Sequence, residues 1–352
     1  MDMKILVTGN MGYIGPSVLS RMRQTRPQST LIGFDKGYFA HCLTNANLLP
    51  ECKTDVQYFG DVRHPVQDAL KGVDTVMHLA AISNDPMGKT YEDVTFDVNF
   101  RASVDLAKQA KLAGAKAFIF ASSCSMYGLA DDTPRKETSP LNPLTAYAKS
   151  KVRTEVELEK LADKDFTVTC LRFATACGMS ERLRLDLVLN DFVACAVTSG
   201  NITILSDGTP WRPLIHIKDM ARAFDWAAGR DKSLGDFLAV NVGSNVWNYQ
   251  VKRLAEAVAE IIPNVNISIN KDAPPDSRSY RVDFALYERL APKHQPEVGL
   301  LDAVRELKEG LQAMDFSDPN FRGSKYMRLE VLKGLREKGL LDGNLEWTRP
   351  HR

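Results

Sequence analysis

The chain has 352 residues, 44% of them apolar and 25% charged, and its 45 basic against 44 acidic side chains leave a formal charge of +1. Those values exclude disorder, collagen-like repetition and a disulfide-framed miniature as descriptions of the whole, and give no general reason to expect a nucleic acid or an anionic membrane as partner. The length fits two domains that share one cleft. No apolar run reaches the roughly 18 residues that a membrane span needs, and the opening MDMKILVTG lacks the layout of a secretion signal. Cys42, Cys52, Cys124, Cys170, Cys177 and Cys195 form no CxxC pair and read as reduced thiols of a cytoplasmic protein. The histidines show no HxxxH or HExxH spacing, so no metal centre is expected.

Short apolar runs alternate with amphipathic ones through the first half. Strands are expected at Lys4–Thr8, Thr30–Phe34, Val56–Phe59, Thr75–Leu79, Ala117–Ala121 and Phe166–Leu171, several of them apolar on both faces. Helices are expected near 12–25, 65–71, 92–113 and 144–163. This alternation predicts an α/β fold with a doubly wound parallel sheet. After about residue 175 the strands shorten (Ile202–Leu205, Phe237–Asn241, Val265–Ile269), with helices at 184–199, 219–228, 248–261 and 301–313. The division expected is residues 1–175 for a dinucleotide domain, 176–315 for a smaller substrate domain that can cross back once, and 316–352 for an extension with one amphipathic stretch at 324–338.

Gly9, Gly12 and Gly15 follow the first strand and open the first helix. Gly9 allows the turn out of the strand. Gly12 leaves room for a pyrophosphate at the helix N-terminus, where free N–H groups favour an anion. Gly15 allows close packing of the helix. Met11, Tyr13 and Ile14 belong to the same loop. Asp35 stands at the end of the second strand, where an acid accepts hydrogen bonds from an adenosine ribose and repels a 2′-phosphate. NAD is therefore favoured over NADP, with Lys36 next door as the one feature pulling the other way.

Tyr147 and Lys151 lie four apart, on one face of an expected helix. A phenol ordinarily titrates near ~10. A neighbouring ammonium and an oxidised nicotinamide both stabilise the phenolate, which would make Tyr147 a general base near neutral pH. Ser123 sits just past the fifth strand, where its hydroxyl can hold a reacting oxygen. His78 and His216 lie in apolar strands and are read as structural.

These residues, in this order, resemble the extended short-chain dehydrogenases/reductases, in the branch of NAD-dependent nucleotide-sugar epimerases and dehydratases. The resemblance covers roughly residues 3–315. It rests on TGNMGYIG at 8–15, Asp35, GDV at 60–62, HLAA at 78–81, FASSCSMYG at 120–128, YAKSK at 147–151, RFATACG at 172–178, DGTPWRPLIHIKD at 207–219 and PPDSRSYRVD at 274–283. It implies a Rossmann sheet with a C-terminal substrate domain. It places Asp61 and Val62 against the adenine, and Leu79, Ala80 and Ala81 beside the cofactor diphosphate and ribose. Asn99 takes the place of a structural Asn in its helix. Ser123 and Tyr147 would grip the substrate hydroxyl, and Lys151 would hold the nicotinamide ribose. Arg212 and Arg278 match arginines that hold a nucleotide diphosphate, for which a planar guanidinium is apt. Asn190 is a further diphosphate candidate, and Ser83 and Asn84 are expected on a wall of the sugar pocket. The helices at 92–113 and 144–163 resemble a pair that builds a four-helix homodimer interface.

Departures from the pattern narrow the chemistry. A sugar 4,6-dehydratase places an acid one or two residues after the catalytic Ser or Thr, where this chain has Cys124 and Ser125, both expected as substrate contacts. Water elimination is therefore disfavoured. Thr175 replaces a usual Asn and Cys177 a usual Tyr, so substrate contacts there differ. The expectation is an NAD-dependent enzyme that works on a nucleotide-activated sugar through a keto-sugar, at C4, as an epimerase. The alternatives are a nucleotide-sugar dehydrogenase or reductase without epimerisation and a catalytically silent dinucleotide-binding relative. The extension after Phe316 matches no motif; covering the cleft, extending a dimer and binding a partner are its open roles.

Overall fold

Parallel strands that are apolar on both faces need helices on both sides. The computed structural model, which describes residues 3–44, 47–65, 67–129, 133–270 and 279–348, meets that need. In chain order the first half runs β1 (Lys4–Thr8), α1 (Gly15–Thr25), β2 (Thr30–Asp35), β3 (Val56–Phe59), α2 (Gln67–Leu70), β4 (Thr75–His78), α3 (Asp85–Thr90), α4 (Glu92–Phe96), a π-turn at Asp97–Arg101, α5 (Ala102–Leu112), β5 (Ala117–Ser123), α6 (Ala146–Leu161) and β6 (Thr167–Phe173). The second half runs β7 (Thr175–Cys177), α7 (Val188–Ser199), β8 (Asn201–Ile204), β9 (Trp211–His216), α8 (Ile217–Ala228), β10 (Phe237–Val242), β11 (Asn248–Gln250), α9 (Val251–Ile261), β12 (Asn266–Ile269), α10 (Ala285–Leu290), α11 (Leu300–Ala313) and α12 (Arg328–Glu337).

Seven strands form one parallel sheet in the order β10-β6-β5-β4-β1-β2-β3. Alternation along each strand sends side chains to both faces. Ile5, Val7, Met77 and Ile119 pack into the core on one side. Leu6, Ile32, Val76 and Phe118 pack into the core on the other. Each such side chain contributes about 1.5–3 kcal/mol on burial, which makes the double cover stable. The chain leaves β1 toward β2 and β3, then returns to place β4 on the other flank of β1. That reversal opens a crevice at the carboxyl ends of β1 and β4, where ligands of open α/β sheets collect.

The run Phe237–Asn241, read as part of the smaller unit, is instead the edge strand of the large sheet, pairing along β6 from Phe237↔Val168 to Val242↔Phe173. Tyr280, Val282, Phe284 and Tyr287 return to the same core later in the chain. The rest of the second half has its own core, in which α7, α9 and α11 pack beside the small sheets β11-β9-β7 and β12-β8. The expected helix at 184–199 begins only at Val188, and residues 179–187 run irregularly with Arg182, Leu183, Arg184 and Leu185 all buried. The expected helix at 92–113 is interrupted by the π-turn.

Candidate active site

One cavity of about 1220 Å³ runs from the glycine loop across the ends of β4 and β5 to β9 and the C-terminal extension. A pocket for one small molecule usually holds roughly 300–1,000 Å³, so this one accepts two elongated ligands end to end.

At the first end, the loop after β1 turns at Gly9, whose φ of +72° suits glycine and whose site would put a Cβ 2.6 Å from the Ala80 backbone nitrogen. A side chain there would fill the cradle. At Gly15 a Cβ would meet the Asn10 carbonyl at 2.0 Å, so its constraint is the loop's own return and not the sheet. Gly9, Gly12, Tyr13, Ile14, Asp35, Lys36, Asp61, Val62, Leu79, Ala80 and Ala81 all reach the cavity wall. The Asp35 carboxylate accepts from the backbone N–H of Met11 at 3.0 Å and of Gly37 at 2.7 Å, tying the glycine loop to β2. Burial pushes its pKa up, against the pull of those two N–H groups. Lys36 is ion-paired to Asp61 and donates to the Leu345 carbonyl, so its ammonium is already committed. Burial alone would raise Asp61, but hydrogen bonds from Arg63 and Lys36 outweigh it and hold the carboxyl down at about 2.

Three expected cofactor residues do not reach the wall. Met11 presents its N–H to Asp35 while its side chain packs inward, and Gly15 lies behind the loop. Asn99, in the π-turn, accepts from the Ile82 N–H at 2.8 Å and donates to the Ile82 carbonyl at 2.9 Å. It pins the strand-end loop that carries Ala80 and Ala81 and touches no ligand space itself.

The middle of the cavity holds Ser123, Ser125, Tyr147 and Lys151. Thr145 caps α6 by accepting from the Ala148 N–H at 3.2 Å, which starts the helix just before Tyr147. One turn further on, Lys151 donates to the Ala121 carbonyl at 2.7 Å, with its ammonium 4.4 Å from the centre of the Phe120 ring and 5.6 Å from that of Tyr147. Burial drives Tyr147 up to about 12, only partly offset by hydrogen bonding to Ser123. Burial also takes Lys151 down to about 7, against the opposing charge of Glu155. In the protein alone, without the nicotinamide that the expectation also invoked, desolvation pushes both groups toward neutrality. The Ser125 hydroxyl is buried on this wall and has no hydrogen-bond partner among the described residues. Cys124, a substrate candidate from the sequence, turns the other way. Its thiol donates to the Arg172 carbonyl at 3.0 Å inside the core, and burial raises its pKa.

On the far wall stand Ser83, Asn84, Thr175 and Arg212. Asn84 caps α3, accepting from the Met87 N–H at 2.8 Å, and donates to Asp186 at 2.6 Å. Asn190 is fully buried behind the wall, where it accepts from the Gly178 N–H and donates to Tyr13 and to the Arg184 carbonyl. It locks the glycine loop to the 178–184 segment and is out of reach of a diphosphate. Arg278 lies outside the described residues.

Sequence reasoning missed Arg184, Asp186, Tyr280 and Arg328, all on the wall. Arg184 pairs with Asp186 at 2.8 Å and donates to the Ser83 hydroxyl at 2.9 Å. A signal was present: in RLRLDL at 182–187 polar and apolar residues alternate strictly, a period that does not suit a helix. His78 is held between Thr8 and Ser103 inside the core, and burial takes it down to about 3. Among the described residues no cluster of His, Cys, Asp and Glu could hold a metal ion, and no helix is long and apolar enough to cross a membrane.

A doubly wound sheet, a glycine cradle at its switch point, an acid at the end of β2 and a Ser, Tyr and Lys set facing the same crevice define an extended short-chain dehydrogenase/reductase. The chain belongs to the NAD dependent epimerase/dehydratase family, whose model matches residues 5–243. Its cofactor is NAD, and the cradle at Gly9 and Gly12 fits that group. The chain is 28% identical over 250 residues to the uncharacterized UDP-glucose epimerase YtcB of Bacillus subtilis, covering 68% of this chain and 77% of that one. It is 24% identical over 325 residues to UDP-glucuronic acid decarboxylase 6 of Arabidopsis thaliana, covering 89% and 88%. Among solved structures, the UDP-glucose-4-epimerase of Stenotrophomonas maltophila with bound NAD and formylated UDP-arabinopyranose superposes with a TM-score of 0.76 at 24% identity, over 89% of this chain and 99% of that one. At that identity the likeness speaks for the fold.

Proposed function

We propose that the protein is a nucleotide-sugar epimerase that oxidises its substrate at C4, inverts the carbon through a keto-sugar and reduces it again. The observation that carries this reading is the placement of Ser123, Tyr147 and the unpartnered Ser125 hydroxyl on one wall of the cavity that the glycine loop opens. When bound, the nicotinamide supplies the acceptor, and later the donor, of a hydride. Tyr147 takes the proton of the C4 hydroxyl at its phenol oxygen and later returns it. Ser123 orients the reacting oxygen, Ser125 donates to a neighbouring sugar hydroxyl, and Arg212 and Arg278 hold the diphosphate. Tyr147, kept at about 12 by the protein alone, would be brought down by a positive nicotinamide bound beside it. Uridine diphosphate sugars are the first to try, because the similar proteins carry them in their names.

The test is a panel of nucleotide sugars incubated with the protein in deuterated water and followed by NMR. Inversion at C4 without deuterium uptake is the expected result. Release of a ketone with reduced cofactor would make the protein a nucleotide-sugar dehydrogenase instead, and no turnover of any sugar would make it a silent binder. We also propose a cytoplasmic setting, supported by six free cysteines, and a homodimer through α4–α5 and α6, supported by the packing of those helices side by side and by Val156 at 49% exposure. Sedimentation at a single mass of one chain would overturn the dimer.

A further inference from the structure

Buried cations in a folded protein are ordinarily paired, because an isolated buried charge costs several kcal/mol. Arg328, on α12 of the C-terminal extension, breaks that rule. It is 2% exposed and lines the cavity. Its Nη2 donates to the Arg182 carbonyl at 2.8 Å and its guanidinium stacks 4.4 Å from the centre of the Phe39 ring. Its Nη1 has no hydrogen-bond partner among the described residues. Among the described residues no carboxylate stands within ion-pair distance of it, and the nearby Asp186 is already taken by Arg184 and Asn84. The thiol of Cys42 beside it is kept protonated, since burial raises its pKa.

The same extension also packs against two wall residues of the cofactor end, Lys36 and Tyr38, from behind, through a segment that does not itself line the cavity. The Leu345 carbonyl accepts from Lys36 at 2.7 Å and from the Tyr38 hydroxyl. Trp347 donates to the Lys36 carbonyl at 2.8 Å, and Arg63 donates to the Asn344 carbonyl at 2.9 Å. Leu341 and Leu345 pack with Ile82, Met87 and Tyr91. Lys36 directly follows Asp35 and Tyr38 stands two residues further on, and Asp61 with its partners Lys36 and Arg63 lies beneath the same segment.

We propose that the C-terminal extension is part of the dinucleotide site: Arg328 takes an oxygen of the cofactor's diphosphate, and the 341–347 segment braces the wall at its adenosine end. A diphosphate is the chemistry an unpaired buried guanidinium fits, through charge-assisted N–H···O bonds. Both ligands of this cavity carry one. The cofactor's is favoured because Phe39 and Cys42, which lie against the Arg328 guanidinium, belong to the stretch that follows β2 and Asp35. Arg212, the candidate for the sugar nucleotide, comes from β9 instead. This inference rests on the NAD site and is independent of which sugar is turned over.

The test uses the full chain stripped of cofactor and titrated separately with ADP-ribose and with UDP by calorimetry. In Arg328→Met, which keeps an apolar stem against Phe39, ADP-ribose affinity should fall about tenfold to a hundredfold while UDP affinity stays unchanged. The ligand-free melting temperature should hold or rise, since an uncompensated charge has been removed. Loss of UDP affinity with ADP-ribose unchanged would assign Arg328 to the sugar nucleotide and overturn the proposal, as would no change in either. Arg328→Lys should restore part of the ADP-ribose affinity; a lysine variant as weak as the methionine one, with a lowered ligand-free melting temperature in both, marks a structural residue and also overturns it. Trp347→Ala should speed the release of bound NAD several-fold in a chase with labelled NAD, and an unchanged rate would remove the 341–347 segment from the site.

Discussion

Two buried arginines, Arg172 and Arg328, show how completeness separates support from function. Arg172 reaches under the fifth strand from β6. It makes a two-pronged pair with Glu155 at 2.7–3.1 Å, and its Nη1 donates to the Tyr127 hydroxyl and the Glu137 carbonyl. Glu155 in turn accepts from Ser122. Burial would lower the Arg172 pKa, yet Glu155 outweighs it and raises the value. Arg328 is equally deep and has no such partner; burial takes its pKa down to about 10. The first network closes on itself and holds β5, β6 and α6 together. The second leaves a buried donor without a partner among the described residues, on a side chain that lines the cavity. The same contrast holds between Cys124, satisfied inside the core, and Ser125, its neighbour, which is not.

The comparison breaks if open and closed groups respond alike to substitution. The largest effect is expected at Tyr147→Phe: turnover of the accepted sugar should drop by roughly 10²–10⁴-fold with the melting temperature unchanged, as initial rates and calorimetry would show. On the closed side, Glu155→Ala should cost about 3–5 kcal/mol of stability by leaving Arg172 unpaired, read from the urea midpoint. If that variant loses activity without losing stability, the network belongs to the site after all.

Lys151 sharpens the contrast through pH. Its pKa is about 7 in the folded protein against ~10.5 unfolded, so between those values the unfolded chain binds a proton that the folded chain lacks. Stability of the cofactor-free protein should therefore rise with pH across that window. The rise should vanish in Lys151→Met, and melting curves at pH 7 and pH 9.5 for both proteins check the sign. The smallest effect belongs to Ser125→Ala, with KM raised up to about tenfold and stability held or slightly improved, because an unmatched buried hydroxyl is removed. A clear loss of stability there would mean that the hydroxyl has a partner in the protein.

Much of the cofactor half was legible from the chain. Gly9, Asp35 and the alternating strands act through neighbours close in sequence, where backbone geometry and period are local properties. The Tyr147 and Lys151 pair was legible for the same reason, being one helical turn apart. Their protonation was not, because desolvation depends on what the rest of the fold stacks above Lys151 and Tyr147. Asn190 and Cys124 were misplaced because a polar side chain beside a site can face inward as readily as outward. Residues 184–187 were taken for helix since their apolar content was read without its period.

The alternation of strands and helices, the glycine cradle and the acid after β2 were determined by the sequence alone, since hydrophobic period and glycine spacing act over a few residues; the strand that fills the edge beside β6 was not. Which polar groups would be left without a partner was decided only by the tertiary structure. That depends on residues some 150 to 300 positions apart meeting, as Arg328 meets Arg182 and Leu345 meets Lys36, and no local pattern encodes such a meeting because the free energy of a buried charge is set by everything packed around it.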